Sequence, residues 1–467
     1  MGLSGALNIA ASGLRTTQNW ADITSRNIAN AATEGYARKD VQMGTLSGGV
    51  EISAVRREVN AAMETLDRGE VSKLARWSTI TDGLEVYTAS LGQPSDEISP
   101  AFRLARFQES LNALANKPGD AATQAAVLDS GKRLTEGLND AAAMLARVGA
   151  EVELQIRYDV ADLNELTQTL AQLNDRVLRS DPGSIGHAEL KDEMGRIVDR
   201  VAGFLDIRTT TGADGRIGLY TAGGTMLVEG DAAALVRYDQ ATGILSAGTG
   251  EITPAKAGVR GFQYGSLAGL FTLKNETLPG FGLQLDDMAR ALVQGFEGAD
   301  ASLAPGQAGL FTDAGAAYAT TPGLAARIAV NPTMDPGQGG TLSRFRDGAG
   351  AVTAGAAGDP TQVMAFIDLF NAPQAFDPAT GIGSSMTLDA YATAMVTKQA
   401  TTQSDARAAH QSAALSADAF SSARWSYAGV NTDDELQRLM LIEQSYAANA
   451  KMMTTVSQML DALLAAV

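Results

Sequence analysis

The C-terminal stretch from Thr432 to Val467 constrains the fold more than any other part of this chain. It contains neither Pro nor Gly, and its seam positions recur at alternating spacings of three and four: Leu439, Ile442, Tyr446, Asn449, Met453, Val456, Leu460, Leu463 and Val467. This is the 3.5-residue repeat of a coiled-coil seam. It predicts one helix of roughly 50 Å, which needs a partner because an isolated amphipathic helix is marginal in water.

The N-terminal end of the chain supplies a candidate partner, because it carries a second seam in the same register. The positions are Leu3, Leu7, Ala10, Leu14, Thr17, Ala21, Thr24, Ile28 and Ala31. Small and hydroxyl residues at several of them allow close helix approach but supply little burial energy. Two interpretations stay open: the termini order only when subunits assemble, or both ends belong to one monomeric bundle.

Three local features of these ends lead to predictions. Thr432-Asp433-Asp434-Glu435 has the spacing of a capping box with an acidic first turn. Asn449 is the polar residue of the C-terminal seam, and we predict that it fixes register against the N-terminal helix or a neighbouring subunit; the alternative is an exposed Asn. Trp20 either anchors a subunit interface or packs within the subunit.

The sequence predicts a mainly α fold with a β-rich insertion. A chain of 467 residues exceeds one core, so roughly two to four domains are expected. We expect an elongated, multidomain molecule whose N- and C-terminal helices pair as a coiled-coil-like hairpin. The predicted parts are a terminal helical core (1–55 and 431–467), a mainly helical domain (56–298) with β-hairpins near 207–258, a Gly- and Pro-rich β outer domain (299–384), and a returning helical part (385–430).

Within the middle, apolar spacing predicts individual elements. One helix is expected after Asp120 and a separate one over Glu151–Ser180. Alternation on both sides of Gly223-Gly224 predicts a hairpin, and the stretch Asp239 to Gly243 suggests another. A turn is expected near Pro279-Gly280, inside the helical stretch from Leu267 to Phe296.

Composition excludes several classes of function. The net charge of −17 argues against nucleic acid or an anionic membrane as a partner. The chain has no Cys, which removes disulfides and thiol chemistry and fits an exported protein. We expect neither a cleaved signal peptide nor a membrane span, because the first residues lack a basic and then apolar pattern and no apolar run is long enough.

Catalytic and metal sites are not indicated. The chain has two histidines, His187 and His410, and each is better explained by packing or surface exposure than by catalysis. No P-loop, metal-binding His pair or nucleophile elbow is present in the sequence. Asp433-Asp434-Glu435 is better explained by helix capping than by a divalent ion. We therefore predict a protein that is not an enzyme and holds no cofactor and no metal.

The two ends resemble the signatures of bacterial flagellar axial proteins, the family of rod, hook and hook-associated proteins. At the N-terminus these residues are Asn27, Asn30, Gly35 and Tyr36. At the C-terminus they are Gly429, Val430, Asn431, Asp433, Glu435 and Gln444. The Gly-Val-Asn lead-in and the long helical middle are similar to hook-associated proteins of the hook–filament junction. Two departures are Glu34, where the family often has Pro, and Gly295-Phe296, where it usually has Val-Asn.

The resemblance implies a structural subunit that joins hook to filament outside the cell and leaves the cell by flagellar type III export. It also implies partners: further copies in a ring, the hook protein, a second junction protein with the filament, and an export chaperone at the C-terminal helix. The alternatives are a hook or distal-rod subunit of the same family, or an exported hydrolase or adhesin, for which residues 298–383 offer no convincing acid pair.

Overall fold

The structure is a computed structural model that describes residues 2–33, 35–46, 49–319 and 322–465. Its contacts divide the chain into two compact units. Unit 1 comprises Met1–Arg76, Arg157–Ala268 and Gln411–Val467, and unit 2 comprises Trp77–Ile156 and Gly269–His410. Both ends of the chain therefore belong to the same unit.

The terminal helices of unit 1 pair with each other and with a hairpin. Helix α1 spans Leu3–Ala29 and helix α11 spans Thr432–Ala465. Strands β1 (Lys39–Leu46) and β2 (Gly49–Arg57) form an antiparallel pair with a register shift between Gln42 and Met43. Helix α1 packs on α11 and on β2, so the predicted pairing of the two ends is confirmed.

The remainder of unit 1 is built from helices and two small sheets. Helices α2 (Ala61–Leu91), α4 (Ala121–Arg179) and α10 (Leu388–Ala428) contribute residues to both units, whereas α5 (Ile185–Phe204) belongs to unit 1. The Arg424 guanidinium of α10 lies 2.8 Å from the carboxylates of both Asp67 on α2 and Asp199 on α5. This cation holds the three helices together.

The predicted β-hairpins of unit 1 are present. One sheet has the order β3 (Ile207–Thr211), β4 (Ile217–Thr221), β5 (Met226–Glu229), β6 (Ala232–Ala233). The other has the order β7 (Val236–Asp239), β8 (Ile244–Ala247), β9 (Gly250–Glu251). Gly224 and Gly243 take positive φ angles of 89° and 69° in the β4–β5 and β7–β8 turns, which favours Gly there.

Unit 2 has an aromatic core. Its other elements are α3 (Pro100–Asn116), α6 (Ser266–Thr272, shared with unit 1), a π-helix (Leu273–Thr277), α7 (Leu278–Ala299), β10 (Phe311–Asp313), β11 (Ile328–Val330), α8 (Arg344–Asp347), α9 (Thr361–Asn371), β12 (Gln374–Ala375) and β13 (Ser385–Met386). Phe296 packs within 5.3 Å, centroid to centroid, of Phe311 and Phe366, and all three are fully buried.

Two element predictions are wrong. The two helices expected between Asp120 and Ser180 are one continuous helix, α4, because buried side chains continue across Gly149 from Leu145 to Val152. The turn expected near Pro279-Gly280 is absent from the described residues, since Pro279 lies in the first turn of α7. A π-helix, Leu273–Thr277, directly precedes α7.

The fold class is confirmed as mainly α with small β-sheets and paired terminal helices. The described helices include none that is long and apolar enough to cross a membrane.

Candidate assembly surface of the terminal helices

Two contacts show the register of α1 against α11. A Cβ atom added at Gly13 would lie 2.8 Å from the Asn449 amide nitrogen, so that side chain rests against the Gly13 backbone. Further along, the Asn27 amide nitrogen donates to the Glu435 carboxylate at 3.0 Å. Along α1, Gly13 comes before Asn27, whereas along α11 the partner of Gly13, Asn449, comes after Glu435. The number of residues between the two contacts is the same on both helices. The helices are therefore antiparallel and in register.

Asn27 uses the full hydrogen-bonding capacity of its side chain. Its amide nitrogen donates to the Lys39 carbonyl at 2.9 Å as well as to Glu435, and its oxygen accepts from the Tyr36 hydroxyl and the Lys39 N–H at 2.9 and 3.1 Å. The residue is only 1% exposed. A buried amide with four partners is stabilising only while all four are present. Asn27 thus joins α1, the start of β1 and α11 at one point.

Glu435 is the charged centre of this junction. It is 1% exposed, and its carboxylate accepts from the Arg38 Nε at 2.9 Å, with Arg438 at 3.8 Å. The predicted capping box is therefore wrong: Glu435 points towards α1 and β1 instead of back to Thr432. The Asp433 N–H donates to the Asn431 side chain at 3.0 Å, so Asn431 caps the helix. Asp433 and Asp434 are exposed in the first turn, where acids are favourable.

A second buried cluster holds the β1–β2 hairpin on α5. The Asp192 carboxylate lies 2.6 Å from the Lys39 ammonium and 2.5 Å from the Arg57 guanidinium. The Lys39 ammonium also lies 3.8 Å from the centre of the Tyr36 ring. Burial lowers the pKa of Lys39 despite Asp192, and burial followed by the Asp192 charge raises the pKa of Tyr36. These groups fix the hairpin independently of α11.

The other signature residues form the chain turns at this junction. Gly35 has a φ of +72°, which favours Gly, and the Asn30 amide donates to the Arg26 carbonyl at 2.9 Å where α1 ends. The Arg38 N–H donates to the Ala428 carbonyl at 2.8 Å, and the Gly429 N–H donates to Trp425 at 2.7 Å at the end of α10. Val430 is half-buried, whereas Gln444 is exposed on α11.

The predicted seam residues differ in how deeply the structure buries them. Ile442 and Val456 are buried. Half-buried are Leu7, Leu14, Ile28, Leu439, Asn449 and Leu460, and also Trp20. Tyr446, Met453 and Leu463 stay 49, 37 and 53% exposed. The side chain of Leu3, and Glu34 and Val467, lie outside the described residues.

Helix α11 also carries apolar side chains away from its seam, a feature that the heptad analysis missed. Leu436, Met440, Leu441, Met452, Met459 and Leu464 are between 48 and 76% exposed. We call these six residues the outer apolar set. A helix that is apolar around most of its circumference is normally enclosed by neighbours, yet α1 covers one side of it. The signal was present in the sequence as apolar residues at positions off the seam.

The histidines show no catalytic arrangement within the described residues. His187 is buried, and its Nδ1 lies 2.8 Å from the Ser180 hydroxyl; burial, then Lys191, lowers its pKa. His410 lies half-exposed on α10. Among the described residues, no group of three or more His, Asp or Glu side chains could hold a metal ion.

Comparison with known families matches three separate stretches. Residues 88–303 match the flagellar hook-associated protein FlgK helical domain. Residues 7–36 match the flagella basal body rod protein family, and residues 425–466 match the flagellar basal body rod FlgEFG protein C-terminal family. The last two matches contain the register contacts described above.

Curated relatives share one name, flagellar hook-associated protein 1. The protein of Salmonella typhimurium (strain LT2) is 24% identical over 311 residues, which cover 63% of this chain and 56% of that protein. The protein of Bacillus subtilis (strain 168) is 23% identical over 240 residues, which cover 48% of this chain and 47% of that protein. The chain thus spans about half the length of the curated relatives it matches.

A solved structure of the flagellar hook junction protein FlgK from Burkholderia pseudomallei is also similar. It is 19% identical, with a TM-score of 0.43, and the match covers 53% of this chain and 46% of that chain.

Proposed function

We propose that this chain, which belongs to the flagellar hook-associated protein 1 family, is a structural subunit that joins the hook to the filament. It acts mechanically: the terminal helices of each copy pack against those of its neighbours and build the shared wall of the junction. The family match over residues 88–303 supports this assignment over a hook or distal-rod subunit, because the two terminal matches alone are common to rod and hook proteins.

The observation that carries the proposal is the incomplete enclosure of α11. Its seam rests on α1, while the outer apolar set and Tyr446, Met453 and Leu463 remain exposed. Neighbouring copies bury these side chains in the assembled ring, so that full ordering of the termini accompanies assembly. Asn449 and Glu435 then hold the antiparallel register while new contacts form.

The proposed partners follow from this surface. Further copies form a ring through α1 and α11, with Trp20 as an additional contact. The hook protein lies on one side of the ring, and a second junction protein followed by the filament lies on the other. Before export, a chaperone covers the exposed apolar side chains of α11, which would otherwise promote aggregation. The subunit works outside the cell, after type III export, without catalysis, cofactor, nucleic acid or membrane span.

The proposed organisation keeps 1–55 and 431–467 as the core layer of the junction. Residues 56–298 and 385–430 form the mainly helical domain, and residues 299–384 form an outer part whose Phe311 and Phe366 pack on Phe296 of that domain.

Removal of residues 432–467 tests the proposal. The truncated chain should stay soluble with unit 2 intact, because that unit has its own aromatic core, but it should fail to enter flagella. A control outside the terminal helices replaces the exposed Asp140 of unit 2 with Asn and should assemble normally. Immunogold labelling of intact flagella is the readout, and the full-length chain should give one narrow band between hook and filament. Labelling along the hook or rod, or normal incorporation of the truncated chain, would contradict the proposal.

A further inference from the structure

Two asparagines of α4 pair with strand backbone through their side chains. The Asn164 carboxamide accepts from the Val236 N–H at 2.8 Å and donates to the Val236 carbonyl at 2.9 Å. The Asn174 carboxamide makes the same two contacts with Ile217, at 2.8 and 2.9 Å. A carboxamide has the donor and acceptor of a peptide group, so each Asn takes the place of a neighbouring strand. Helix α4 thus completes two strand edges of unit 1 with side chains.

The edge of β6 has no such partner among the described residues. Strand β6 is outermost in its sheet, and both of its residues are exposed. The Ala234 N–H donates to the Leu227 carbonyl at 2.8 Å, which makes these two a hydrogen-bonded pair. Because such pairs alternate along antiparallel strands, the preceding pair, Ala233 with Val228, is not hydrogen-bonded. The N–H and C=O of Ala233 therefore point away from β5, at the open edge.

A cleft of about 530 Å³ lies between this edge and α4. Gln168 and Gln172 line its helical wall one turn apart, and neither carboxamide has a hydrogen-bond partner among the described residues. This wall runs from Asn164 to Asp175, about 16 Å, which matches about five residues of extended chain. The cleft therefore has an open strand edge on one side and unpaired carboxamides on the other.

The cleft is negatively charged. Asp175 and Asp231 line it, and none of the described residues that line it is Lys or Arg. Asp175 pairs with Arg179 of the same helix. Asp231 has no ion-pair partner within the described parts of the chain. The cleft therefore favours a segment that brings a Lys or Arg to Asp231.

We propose that this cleft binds an extended segment of another protein, about five residues long and carrying a Lys or Arg. The backbone of the segment pairs with Ala233 on one edge and with the carboxamides of Gln168 and Gln172 on the other. The strands of a second copy do not suit this position, because each described strand already pairs along one edge and the cleft requires both edges to be free. The site uses no residue of α1 or α11, so it is independent of the proposed function.

A peptide with blocked ends, Lys-Thr-Val-Thr-Lys, is the probe. Its binding to the purified full-length chain is measured by fluorescence polarisation and should have a Kd below about 1 mM. Replacing both Lys residues of the peptide by Glu should weaken binding about tenfold or more. Methylating the backbone nitrogens of its central residues keeps the side chains but removes the donors, and should abolish binding. No binding of the Lys peptide, or equal binding of the methylated one, would overturn the proposal.

Hydrogen exchange locates the bound peptide. In the free chain the Ala233 amide should exchange fast and the Ala234 amide slowly, because only Ala234 donates to β5. Saturating peptide should slow the Ala233 amide about tenfold or more, whereas the amides of β11 in unit 2 should not change. Slow exchange of Ala233 in the concentrated chain without peptide would mean that a second copy occupies the cleft, and would overturn the proposal.

Variants of the chain identify the binding groups. Gln168→Ala with Gln172→Ala should weaken binding about tenfold, because it removes the carboxamides of the helical wall. The control, Gln18→Ala with Gln411→Ala, makes the same change at exposed helix positions that do not line the cleft, and should bind normally. Equal affinities of the two double variants would overturn the proposal.

A charge reversal gives a result that loss of folding cannot imitate. Asp231→Lys should make the chain bind the Glu peptide more tightly than the Lys peptide, because the unpaired charge of the cleft changes sign. A preference for the Lys peptide that survives this substitution would overturn the assignment of a basic partner.

Discussion

Unit 2 encloses its own apolar core, whereas the terminal helix pair of unit 1 leaves much of its apolar surface in water. In unit 2, Phe296 is surrounded by aromatic rings and is fully buried. In the helix pair, Leu441 and Leu464 are 57 and 76% exposed. Buried polar contacts of Asn27 and Glu435 stabilise the helix pair and define where α11 packs against α1. One region is therefore complete within a single chain, and the other is completed by neighbours.

The largest expected effect comes from a substitution in the aromatic core of unit 2. Phe296→Ala should cost about 3–5 kcal/mol, because it removes a fully buried ring and leaves a cavity. Leu441→Ala on α11 should change stability by less than about 0.5 kcal/mol in the free chain, since its side chain is largely exposed. Hydrogen exchange of α7 and α11 amides measures both. Equal losses of stability in the two variants would mean that α11 is as enclosed as the core of unit 2.

The next effect concerns the polar anchor of the helix pair. Glu435→Gln keeps the size of the side chain but removes the charge that faces Arg38, and should cost about 1.5–3 kcal/mol. The lower half of that range is expected, because the Arg38 side chain is 22% exposed. Asp433→Asn makes the same charge change at an exposed position and is the control. Urea unfolding of unit 1 is the measurement; equal effects of the two variants would contradict a specific role for Glu435.

A smaller effect tests the Gly13–Asn449 contact, by whether an Ala at position 13 raises or lowers the stability of the chain. Gly5→Ala should stabilise α1 by about 0.5–1 kcal/mol, because nothing lies near its added methyl group. Gly13→Ala should not stabilise, since its methyl group would collide with the Asn449 amide. In an Asn449→Ala background, Gly13→Ala should stabilise as Gly5→Ala does. A gain from Gly13→Ala in the natural chain would show that the helices lie further apart.

The smallest effect is a pH dependence of unit 1. Burial and the nearby Lys191 lower the pKa of His187, with the opposing charge of Asp181. The unfolded chain therefore takes up a proton first as the pH falls below about 6.5. The stability of unit 1 should decrease below that pH, and His187→Gln should reduce the dependence. Urea midpoints at several pH values measure this pH dependence of stability. Identical pH dependences in the natural chain and the His187→Gln variant would show that His187 does not contribute.

The sequence predicted the parts of this fold that depend on regular spacing. The pairing of the two terminal helices, the β4–β5 hairpin at Gly224 and the long α10 follow from periodicity and turn residues. The continuity of α4 across Gly149 and the π-helix before Pro279 did not follow, because packing decides whether a local breaker ends a helix. Glu435 was misassigned for a related reason: its position in the first turn of α11 fits a cap, and only the tertiary fold brings Arg38 and Asn27 to it. The predicted roles of the seam residues in assembly remain predictions.

Hydrogen exchange of the free chain, compared with the chain in isolated flagella, tests the central claim most directly. We predict that α11 amides exchange much faster than α7 amides in the free chain and become protected to a similar degree once the subunit is assembled. Protection of α11 in the free chain equal to that of α7, unchanged on assembly, would show that the helix pair is already complete and would contradict the account.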